Sequence, residues 1–373
     1  MPLASVFDFV VLIPSLQPDE NLLRYVKELS KRGFRHVLVV DDGSGSIYQD
    51  IFKQAASVDG CDVIGYEENK GKGHALKHGM RYILEHYPKS PGIVTADSDG
   101  QHTAEDVVKV AQKVLETLDA LVLGSRNFKK AGVPFRSRFG NILTSFFFKL
   151  LYGHYLPDTQ TGLRGVSRKL IPKMLSVKGE RFEYETNMLM YCALNKIPFE
   201  TVEIKTIYIE ENQSSHFNPV KDSIRIYKSL FGTFFKFVFS SLASFLIDIG
   251  VFTLLDSFLL TALFSDKLGG RDAYLHTYTA AAIARIISAI FNYKVNKKMV
   301  FAYGKKQGSG MRYAVLAAAS LLASGGFSNL LYRAFAQRVN KSLIKAVVDT
   351  VLYFINYRIQ KAWVFPYADS QGE

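Results

Sequence analysis

Two aspartates separated by a single residue, Asp97 and Asp99, are the side chains of this chain best suited to do chemistry. They follow the apolar run 91–95, so we expect both carboxylates where a buried strand opens into a loop. Carboxylate oxygens suit Mg²⁺ or Mn²⁺, and these ions keep positions open for phosphate oxygens. An isolated Asp-x-Asp pair is more often a solvated turn, so the surrounding sequence has to decide between a turn and a metal site.

Further polar side chains follow other predicted strands in the same half of the chain. Strand and helix patterns alternate there, which is typical of a parallel sheet with crossover helices. The predicted strands are 9–13, 36–40, 62–65, 93–96 and 120–124. Ligands collect beyond the carboxyl ends of strands in such sheets. Asp42, Asp97 and Arg126 all fall at these ends, so we expect them to border one site.

The second half of the chain carries four long apolar runs, at about 237–264, 274–293, 313–335 and 343–365. Each approaches or exceeds the roughly 20 residues that a membrane-spanning helix needs. We therefore predict an α/β domain at 1–228 and an all-α four-helix transmembrane domain at 229–373. A large buried helical domain is the less favoured alternative. Segment 229–236 is expected either to lie along the membrane interface or to extend the first span.

The formal net charge of +12 is explained by basic residues around the membrane segments. Because positive loops stay cytoplasmic, we expect the connection between the second and third runs, and with it the first domain, on the cytoplasmic side of a multi-pass cell-membrane protein. Four basic residues near the predicted outer turn are exceptions to this rule: Arg333, Arg338, Lys341 and Lys345. No basic stripe with interleaved aromatics appears in the first half, so nucleic acid is not an expected partner. Cys61 and Cys192 are far apart and predict no disulfide framework.

The membrane half contains an internal repeat, and charged residues such as Asp248, Arg285 and Asp349 fall inside its apolar runs. Tract 291–301 aligns with tract 355–365, which indicates two helix hairpins in the same orientation. Intramembrane charges are costly and usually form pairs or face a polar cavity. Asp248, Arg285 and Asp349 are therefore expected to do one or the other. Two hypotheses stay open for Arg285: attraction of a lipid phosphate during passage across the bilayer, or an ion pair with a carboxylate that fixes helix packing.

Several tracts of the first half carry a family resemblance. They are Val11-Leu-Ile-Pro-Ser15 with Glu20, Val39-Val-Asp-Asp-Gly-Ser44, Asn69-Lys-Gly-Lys-Gly-His-Ala-Leu76, Ala96-Asp-Ser-Asp-Gly-Gln-His102, Gly124-Ser-Arg126, Asp158-Thr-Gln-Thr-Gly-Leu-Arg164 and Phe182-Glu-Tyr-Glu185. With them, residues 7–220 resemble family-two glycosyltransferases of the polyprenyl-phosphate type, such as dolichyl-phosphate mannose synthase and bactoprenol glucosyltransferases. Residues 231–366 are similar to the four-helix GtrA membrane family. The resemblance implies a GT-A fold, Rossmann-like with a mostly parallel sheet.

The resemblance assigns roles around a nucleotide-sugar and a metal. It implies a nucleotide pocket bordered by Pro14, Glu20, Asp42, Lys72 and Asp97, with Asp42 accepting a hydrogen bond from the base. It also implies Mg²⁺ or Mn²⁺ on Asp97, Asp99 and Gln101. A cap of the Asp-Gly-Ser turn is the alternative for Asp42. For His102, a metal ligand and a histidine that supports its loop both stay open.

The acceptor side is expected to hold a phosphate. Guanidinium forks match phosphate oxygens, so Arg126 and Arg138 are the leading ligands, with a hydroxyl from Ser125. Arg164 and His216 are weaker candidates. His216 stands where the family often has Arg or Lys after a Gly-x-Ser segment, whereas this chain reads Gln213-Ser-Ser-His216. Glu183 and Glu185 are expected either to orient hydroxyl groups or to form a solvated acidic turn.

The function expected is a metal-dependent, inverting transfer of a hexose to undecaprenyl phosphate, for cell-wall or surface glycopolymer modification. Asp97, Asp99, Arg126 and Arg138 are the predicted catalytic residues. UDP-glucose or UDP-N-acetylhexosamine is the favoured donor, with GDP-mannose as an alternative. Two other classes stay open: a lipid-linked sugar transporter or scramblase that only binds nucleotide-sugar, and a processive polysaccharide synthase. A homo-oligomer is also left open.

Overall fold

The computed structural model describes residues 5–128, 135–205, 220–259, 270–301, 308–335 and 339–366. The chain divides into two compact units, Met1–Leu230 and Phe231–Glu373. Within the described residues, the strands of the first unit are β1 Val10–Ser15, β2 His36–Asp42, β3 Cys61–Tyr66, β4 Gly92–Thr95, β5 Leu121–Arg126, β6 Arg164–Ser167 and β7 Phe199–Ile204. Its helices are α1 Glu20–Arg32, α2 Gln49–Ala56, α3 Lys72–His86, α4 Ala104–Thr117, α5 Phe135–Tyr152, α6 Ile171–Leu175 and α7 Glu183–Leu194.

The seven strands form one mostly parallel sheet in the order β3-β2-β1-β4-β6-β5-β7. Only β6 runs antiparallel to its neighbours, pairing with β4 on one side and β5 on the other. This sheet confirms the predicted α/β class, and the five predicted strands match β1 to β5 within two residues. The chain leaves β1 toward β2 and β3, and then crosses to β4 on the other side of β1. The crossing creates a switch point between β1 and β4, where ligands bind in open α/β sheets.

Local sequence explains the helices that cover this sheet. Asp19 caps α1 by accepting a hydrogen bond from the Asn21 N–H, and basic residues occupy its last turn, where they complement the helix dipole. Thr103 caps α4 in the same way through the Asp106 N–H. The apolar faces of both helices join the buried strands in one core, in which Leu29 of α1 is completely buried.

We predict that Leu29→Ala destabilises the first unit. Truncating a fully buried leucine removes its packing and leaves a cavity, at a cost of about 2–5 kcal/mol in the free energy of unfolding. Ile47→Ala is the matched control, because Ile47 is 88% exposed. Thermal unfolding of the full-length protein in detergent should show a clear fall for Leu29→Ala alone. Equal midpoints for the two variants would contradict the assignment of Leu29 to the core.

Among its described residues, the second unit is dominated by four long helices. They are α8 Lys221–Leu254, which begins in the first unit, α9 Gly270–Val295, α10 Ser309–Ala334 and α11 Lys341–Ile359. Segment 229–236 is part of the continuous α8, so it extends that helix. Within the described residues, two helical stretches are long and apolar enough to cross a membrane, Lys221–Ser257 and Ser309–Ala334. The predicted total of four spans stays a prediction.

The two aligned tracts of the second unit adopt the same conformation. Each helix that carries a tract ends in a five-residue π-helical turn, Asn296–Val300 after α9 and Gln360–Val364 after α11. The first residues of the two turns contact each other, because Asn296 Nδ2 donates to Gln360 Oε1 at 3.0 Å. Both side chains are buried. The sequence repeat is therefore also a structural repeat.

Aromatic side chains of the two tracts pack reciprocally. Phe301 and Phe365 stack with ring centroids 5.4 Å apart and planes 17° from parallel. Tyr293 of the first tract lies 5.8 Å from Phe365, and Tyr357 of the second lies 5.8 Å from Phe301. Equal cross-contacts in both directions are those of a local two-fold arrangement. Each hairpin thus supplies part of the other's packing surface.

Candidate active site

A cavity of about 430 Å³ lies at the carboxyl ends of β1, β2 and β4. Its walls come from the strand ends, from the start of α3, from the loop before α7 and from the first turns of α8. The lining residues are Pro14, Ser15, Leu16, Asp42, Asn69, Gly71, Lys72, Asp97, Ser98, Asp99, Arg181, Phe182, Lys221, Asp222 and Arg225. The cavity therefore collects residues from six separate segments at the switch point of the sheet.

Asp97 lies at the centre of a polar network. Its Oδ1 is 2.7 Å from Lys72 Nζ, and its Oδ2 is 3.3 Å from His102 Nε2. Burial by itself raises the pKa of Asp97, but the charge of Lys72 and the hydrogen bond from His102 outweigh it and hold that pKa well below its usual range. The carboxylate also lies directly over Gly162, where any Cβ would approach Asp97 Oδ2 to 2.3 Å. Asp97 is therefore ionised at neutral pH and fixed in place.

Lys72, the first residue of α3, joins two acidic segments. Its Nζ contacts Glu185 Oε2 at 2.9 Å in addition to Asp97. Burial opposes the charged form of Lys72, but the carboxylates of Asp97 and Glu185 outweigh burial and raise its pKa above the usual value. Lys72 is therefore a permanent positive charge on the wall of the cavity. The sequence placed Lys72 at the border of the nucleotide pocket but gave no sign of its pairing with Glu185.

Asp99 has an environment opposite to that of Asp97. Burial and the nearby charge of Asp97 both raise the pKa of Asp99, while the Gln101 N–H donates to its Oδ1 at 3.0 Å and partly opposes them. Two carboxylates in one cavity repel each other, and a cation placed between them relieves the repulsion. Among the described residues, no ammonium contacts Asp99 directly as Lys72 contacts Asp97, and the more distant charge of Lys72 lowers the pKa of Asp99 only in part.

Asp42 holds the loop between β3 and α3. Its Oδ1 accepts hydrogen bonds from the Tyr66 hydroxyl at 2.6 Å and from the Lys70 and Gly71 N–H groups at 3.0 Å. Its Oδ2 accepts from the Asn69 amide at 3.1 Å. Burial raises the pKa of Tyr66, and its hydrogen bond to Asp42 raises that pKa further. A contact between Asp42 and a nucleobase stays a prediction, and the structure adds a loop-anchoring role that sequence reasoning did not assign.

Gly71 and Gly73 allow a close approach of the segment that precedes α7. A Cβ at Gly71 would lie 2.6 Å from Glu180 O, and a Cβ at Gly73 would lie 2.5 Å from Tyr184 Cβ. The Gly-Lys-Gly tract therefore serves packing between α3 and segment 180–184, in addition to the place of Gly71 on the cavity wall. This packing brings Glu185 to Lys72.

Asp97 and Asp99 suit a divalent cation that takes its other ligands from water and phosphate oxygens. Across the described ranges, no group of three or more His, Cys, Asp and Glu side chains is arranged to hold a metal ion. Asp97 and Asp99 both line the cavity, and a cationic ammonium already contacts Asp97. Mg²⁺ and Mn²⁺ accept one or two carboxylates together with water and phosphate oxygens, so the residues present fit such an ion.

The predicted phosphate ligand Arg126 is held by an acidic partner. Arg126 Nε donates to Asp158 Oδ2 at 2.7 Å, and a second guanidinium nitrogen donates to Asp158 Oδ1 at 3.1 Å. The side chain of Asp158 is completely buried, whereas that of Arg126 is 20% exposed. The bidentate pair fixes the direction of the guanidinium. Asp158 is a positioning residue that sequence reasoning included in a tract without assigning it a role.

The other predicted acceptor ligands lie in different surroundings. Arg138 is exposed on α5, one turn before Asn141, whose amide contacts Pro157 O and the Thr159 N–H on either side of Asp158. Arg138 thus lies one helical turn from the residue that holds the loop around Asp158, the partner of Arg126. Ser125 is buried near the end of β5.

The remaining two predicted acceptor ligands are Arg164 and His216. Arg164 is 1% exposed and donates to Thr161 O, so it braces the interior. Because Arg164 is buried, its guanidinium is not at the surface, where a ligand of the acceptor phosphate would have to lie. His216 lies outside the described residues.

Four of the five residues predicted to border the nucleotide pocket line the cavity. Pro14, Asp42, Lys72 and Asp97 line it, whereas Glu20 is exposed at the start of α1 and is not part of its lining. Phe182, quoted in a sequence tract without a role, contributes to the wall beside three cationic side chains that sequence reasoning missed: Arg181, Lys221 and Arg225. No local pattern marked them, because they come from segments distant in the sequence from the Asp-x-Asp tract.

Asp248, Arg285 and Asp349, the charged residues singled out in the apolar runs, each have a partner of opposite charge. Arg285 contacts Asp248 Oδ2 at 3.3 Å, which is the packing alternative of the two hypotheses for Arg285. Asp349 contacts Lys345 Nζ at 2.8 Å and also accepts a hydrogen bond from Ser324. Arg285 and Asp349 occupy equivalent positions in the repeat, each seven residues before the asparagine of its tract. Charge is therefore compensated at the same level of both hairpins.

A mostly parallel sheet with an acidic pair and a lysine around a cavity at its switch point defines the first unit as a GT-A transferase domain. The profile of glycosyl transferase family 2 matches residues 10–175, and that of the GtrA/DPMS transmembrane domain matches residues 236–365. The chain belongs to glycosyl transferase family 2 and carries a GtrA/DPMS transmembrane domain, as its sequence motifs predicted. It is therefore a glycosyltransferase with a membrane domain.

Similar proteins include two characterised relatives. The UDP-N-acetylglucosamine–dolichyl-phosphate N-acetylglucosaminyltransferase of Methanococcus voltae is 30% identical over 220 residues, covering 54% of this chain and 86% of the relative. The dolichyl-phosphate beta-glucosyltransferase of Saccharomyces cerevisiae is 25% identical over 256 residues, covering 59% of this chain and 72% of the relative. Among solved structures, glucosyl-3-phosphoglycerate synthase of Mycobacterium tuberculosis is 16% identical with a TM-score of 0.45, covering 60% of this chain and 78% of that chain.

We predict that the two aspartates have opposite effects on stability without metal. The pKa of Asp97 is lowered in the folded state, so its ion pairs stabilise the fold above the ordinary carboxyl pKa and are lost as pH falls through the lowered value. The pKa of Asp99 is raised, so its ionised form destabilises the fold at neutral pH, and this cost disappears as pH falls through the raised value.

Thermal unfolding at pH 7.5 in EDTA measures both effects. Asp97→Asn should lower the midpoint, since losing hydrogen bonds between charged partners costs about 1.5–3 kcal/mol. Asp99→Asn should raise it, because the amide removes the repulsion. A decrease for Asp99→Asn as large as that for Asp97→Asn would show that the carboxylates do not differ in this way.

Proposed function

We propose that this protein transfers a hexose from a nucleotide-sugar to a polyprenyl phosphate, with inversion at the anomeric carbon and with Mg²⁺ or Mn²⁺ bound at Asp97 and Asp99. The observation that carries this proposal is the cavity itself. It places two carboxylates and the ammonium of Lys72 at the switch point of a GT-A sheet, with further cationic side chains on its wall. This set of charges fits a diphosphate and its counter-ion.

Donor binding follows from the charges of the cavity. Lys72, Arg181 and Arg225 line it and are suited to diphosphate oxygens, while Phe182 adds an aromatic face to the same wall. Asp97 and Asp99 would hold a divalent cation, and that ion would supply compensation for the charge on the departing nucleoside diphosphate. The same cation relieves the repulsion between Asp97 and Asp99, which supports a metal-dependent donor complex.

The acceptor needs no strong general base. A lipid phosphate is ionised at neutral pH and is already a nucleophile, so the chain has to position it and compensate its charge. Arg126 has a fixed direction because of Asp158, and Arg138 lies on α5 one turn before Asn141, which holds the loop around Asp158. A single displacement by the phosphate oxygen inverts the anomeric configuration. The product is a glycosyl phosphodiester-type lipid with one sugar for each polyprenyl phosphate.

The names of the two relatives support a dolichyl-type acceptor, and they differ in the sugar that is transferred. We propose undecaprenyl phosphate as the acceptor for surface glycopolymer modification, with the catalytic unit on the cytoplasmic side of the membrane. UDP-glucose and UDP-N-acetylglucosamine are the first donors to test. GDP-mannose is the next. The GtrA/DPMS domain supports this membrane assignment.

We predict that the radiolabelled sugar of one UDP-sugar is transferred to a lipid that partitions into the organic phase. Membranes containing the protein are incubated with radiolabelled UDP-glucose, UDP-N-acetylglucosamine or GDP-mannose, together with undecaprenyl or dolichyl phosphate. Label should enter the organic phase with one donor and should be lost in EDTA, since the acidic pair then lacks its cation. Chromatography of the product distinguishes a single sugar from a polymer, and nuclear magnetic resonance of the anomeric proton tests inversion.

Variants separate the donor site from the membrane domain. Asp99→Ala should lower the rate by about 10²-fold or more, because the charge on the leaving group loses its compensation. Asp256→Asn, in the π-helical turn after α8, is the matched loss of one carboxylate outside the cavity and should leave the rate close to that of the wild type. An Asp99→Ala protein with full transfer activity would overturn the enzyme proposal and favour a transporter that only binds nucleotide-sugar.

A further inference from the structure

The ammonium of Lys72 contacts Asp97, one of the two carboxylates that are proposed to hold the metal. Its ammonium lies 2.7 Å from Asp97 Oδ1 and 2.9 Å from Glu185 Oε2. The three side chains are between 12% and 30% exposed, so water screens their charges only partly. A divalent cation that approaches Asp97 therefore meets a cation already in contact with that carboxylate.

The backbone of Lys72 is fixed while its side chain is not enclosed on every side. Gly71 and Gly73 pack against segment 180–184 so closely that neither position accepts a Cβ without displacement of a neighbour. A lysine stem has four rotatable carbons and ends in a compact charge with three donors. Movement of Lys72 between partners therefore requires side-chain rotation and no change of the helix. Glu185, with its Oε2 at 2.9 Å from the same ammonium, offers Lys72 a second carboxylate partner besides Asp97.

We propose that Lys72 is a resident counter-ion that competes with the divalent metal for Asp97 in the donor-free protein, and that Glu185 and the donor diphosphate take over the ammonium when metal and nucleotide bind. This inference rests on the proposed function, since it concerns the same cavity. It assigns Glu185 a positioning role for Lys72. It makes metal and nucleotide binding cooperative.

The cooperativity follows from the charges of the cavity. Without nucleotide, the metal has to displace the ammonium from Asp97 and brings two more positive charges beside it. With nucleotide, the diphosphate supplies negative charge that attracts both the metal and Lys72. Binding free energies are reciprocal, so a nucleotide that tightens metal binding is itself bound more tightly in the presence of metal. Lys72 is the side chain through which part of this coupling passes.

Manganese affinity of the full-length protein in detergent tests the inference without any turnover. Free Mn²⁺ is measured by electron paramagnetic resonance, with and without UDP, for the wild type, Lys72→Met and Lys70→Met. Lys70 is the matched control, because it is exposed two residues away and lies over the Tyr66 ring. Lys72→Met should bind Mn²⁺ on the order of tenfold more tightly than the wild type without UDP, since it loses the competing charge. Lys70→Met should match the wild type.

Addition of UDP gives the second part of the test. UDP should tighten Mn²⁺ binding by a larger factor in the wild type than in Lys72→Met, because only the wild type has an ammonium to move. Glu185→Gln keeps Lys72 and removes its second partner, so it should weaken Mn²⁺ binding without UDP. This opposite sign preserves the test if Lys72→Met does not fold.

The outcomes separate this inference from the proposed function. Mn²⁺ binding to the wild type with UDP, but no tightening in a folded Lys72→Met and no weakening in Glu185→Gln, would mean that Lys72 is only a structural tie between α3 and α7. Absence of Mn²⁺ binding to every protein, with and without UDP, would instead overturn the metal-dependent proposed function on which the inference depends.

Discussion

The contact between the Asp97 carboxylate and the Lys72 ammonium is the interaction on which the catalytic unit depends. Asp97 follows β4, Lys72 begins α3, and Glu185 on the far side of the lysine lies in the first turn of α7. Three segments distant in sequence are thus joined by two ion pairs with little exposure to water. Since each charge is costly to bury alone, the pairs constrain the segments to stay together. The cavity is the space that this constraint leaves open.

Steric constraints act together with these charges. Gly162 lies below Asp97, and the glycines on either side of Lys72 lie against segment 180–184. A side chain at any of these positions would separate the surfaces that the ion pairs bring together. The bidentate pair between Arg126 and Asp158 is a second fixed charge arrangement in the same unit. Rigid placement of charge is the property that GT-A chemistry needs, because the reacting groups contribute little covalent help.

The membrane half reaches rigidity through repetition. Two hairpins end in matching π-helical turns and exchange equal aromatic contacts. Their internal charges are neutralised at equivalent levels, by an ion pair of Arg285 and Asp248 in one and by Lys345 and Asp349 in the other. Charged groups in an apolar environment are costly when unpaired, so the Arg285–Asp248 pair between α8 and α9 favours one arrangement of these two helices, whereas Lys345 and Asp349 pair within α11.

The sequence by itself determined the order of the elements, the parallel sheet, the acidic pair and the family. These are local properties, since periodicity, turn residues and short motifs are written in consecutive positions. Only the tertiary structure decided how charges are shared. It pairs Lys72 with Asp97 and Glu185, and it pairs Arg126 with Asp158. It also buries Arg164 and leaves Glu20 outside the cavity. The physical reason is that an ion pair depends on distances between segments, which folding sets and no local pattern records.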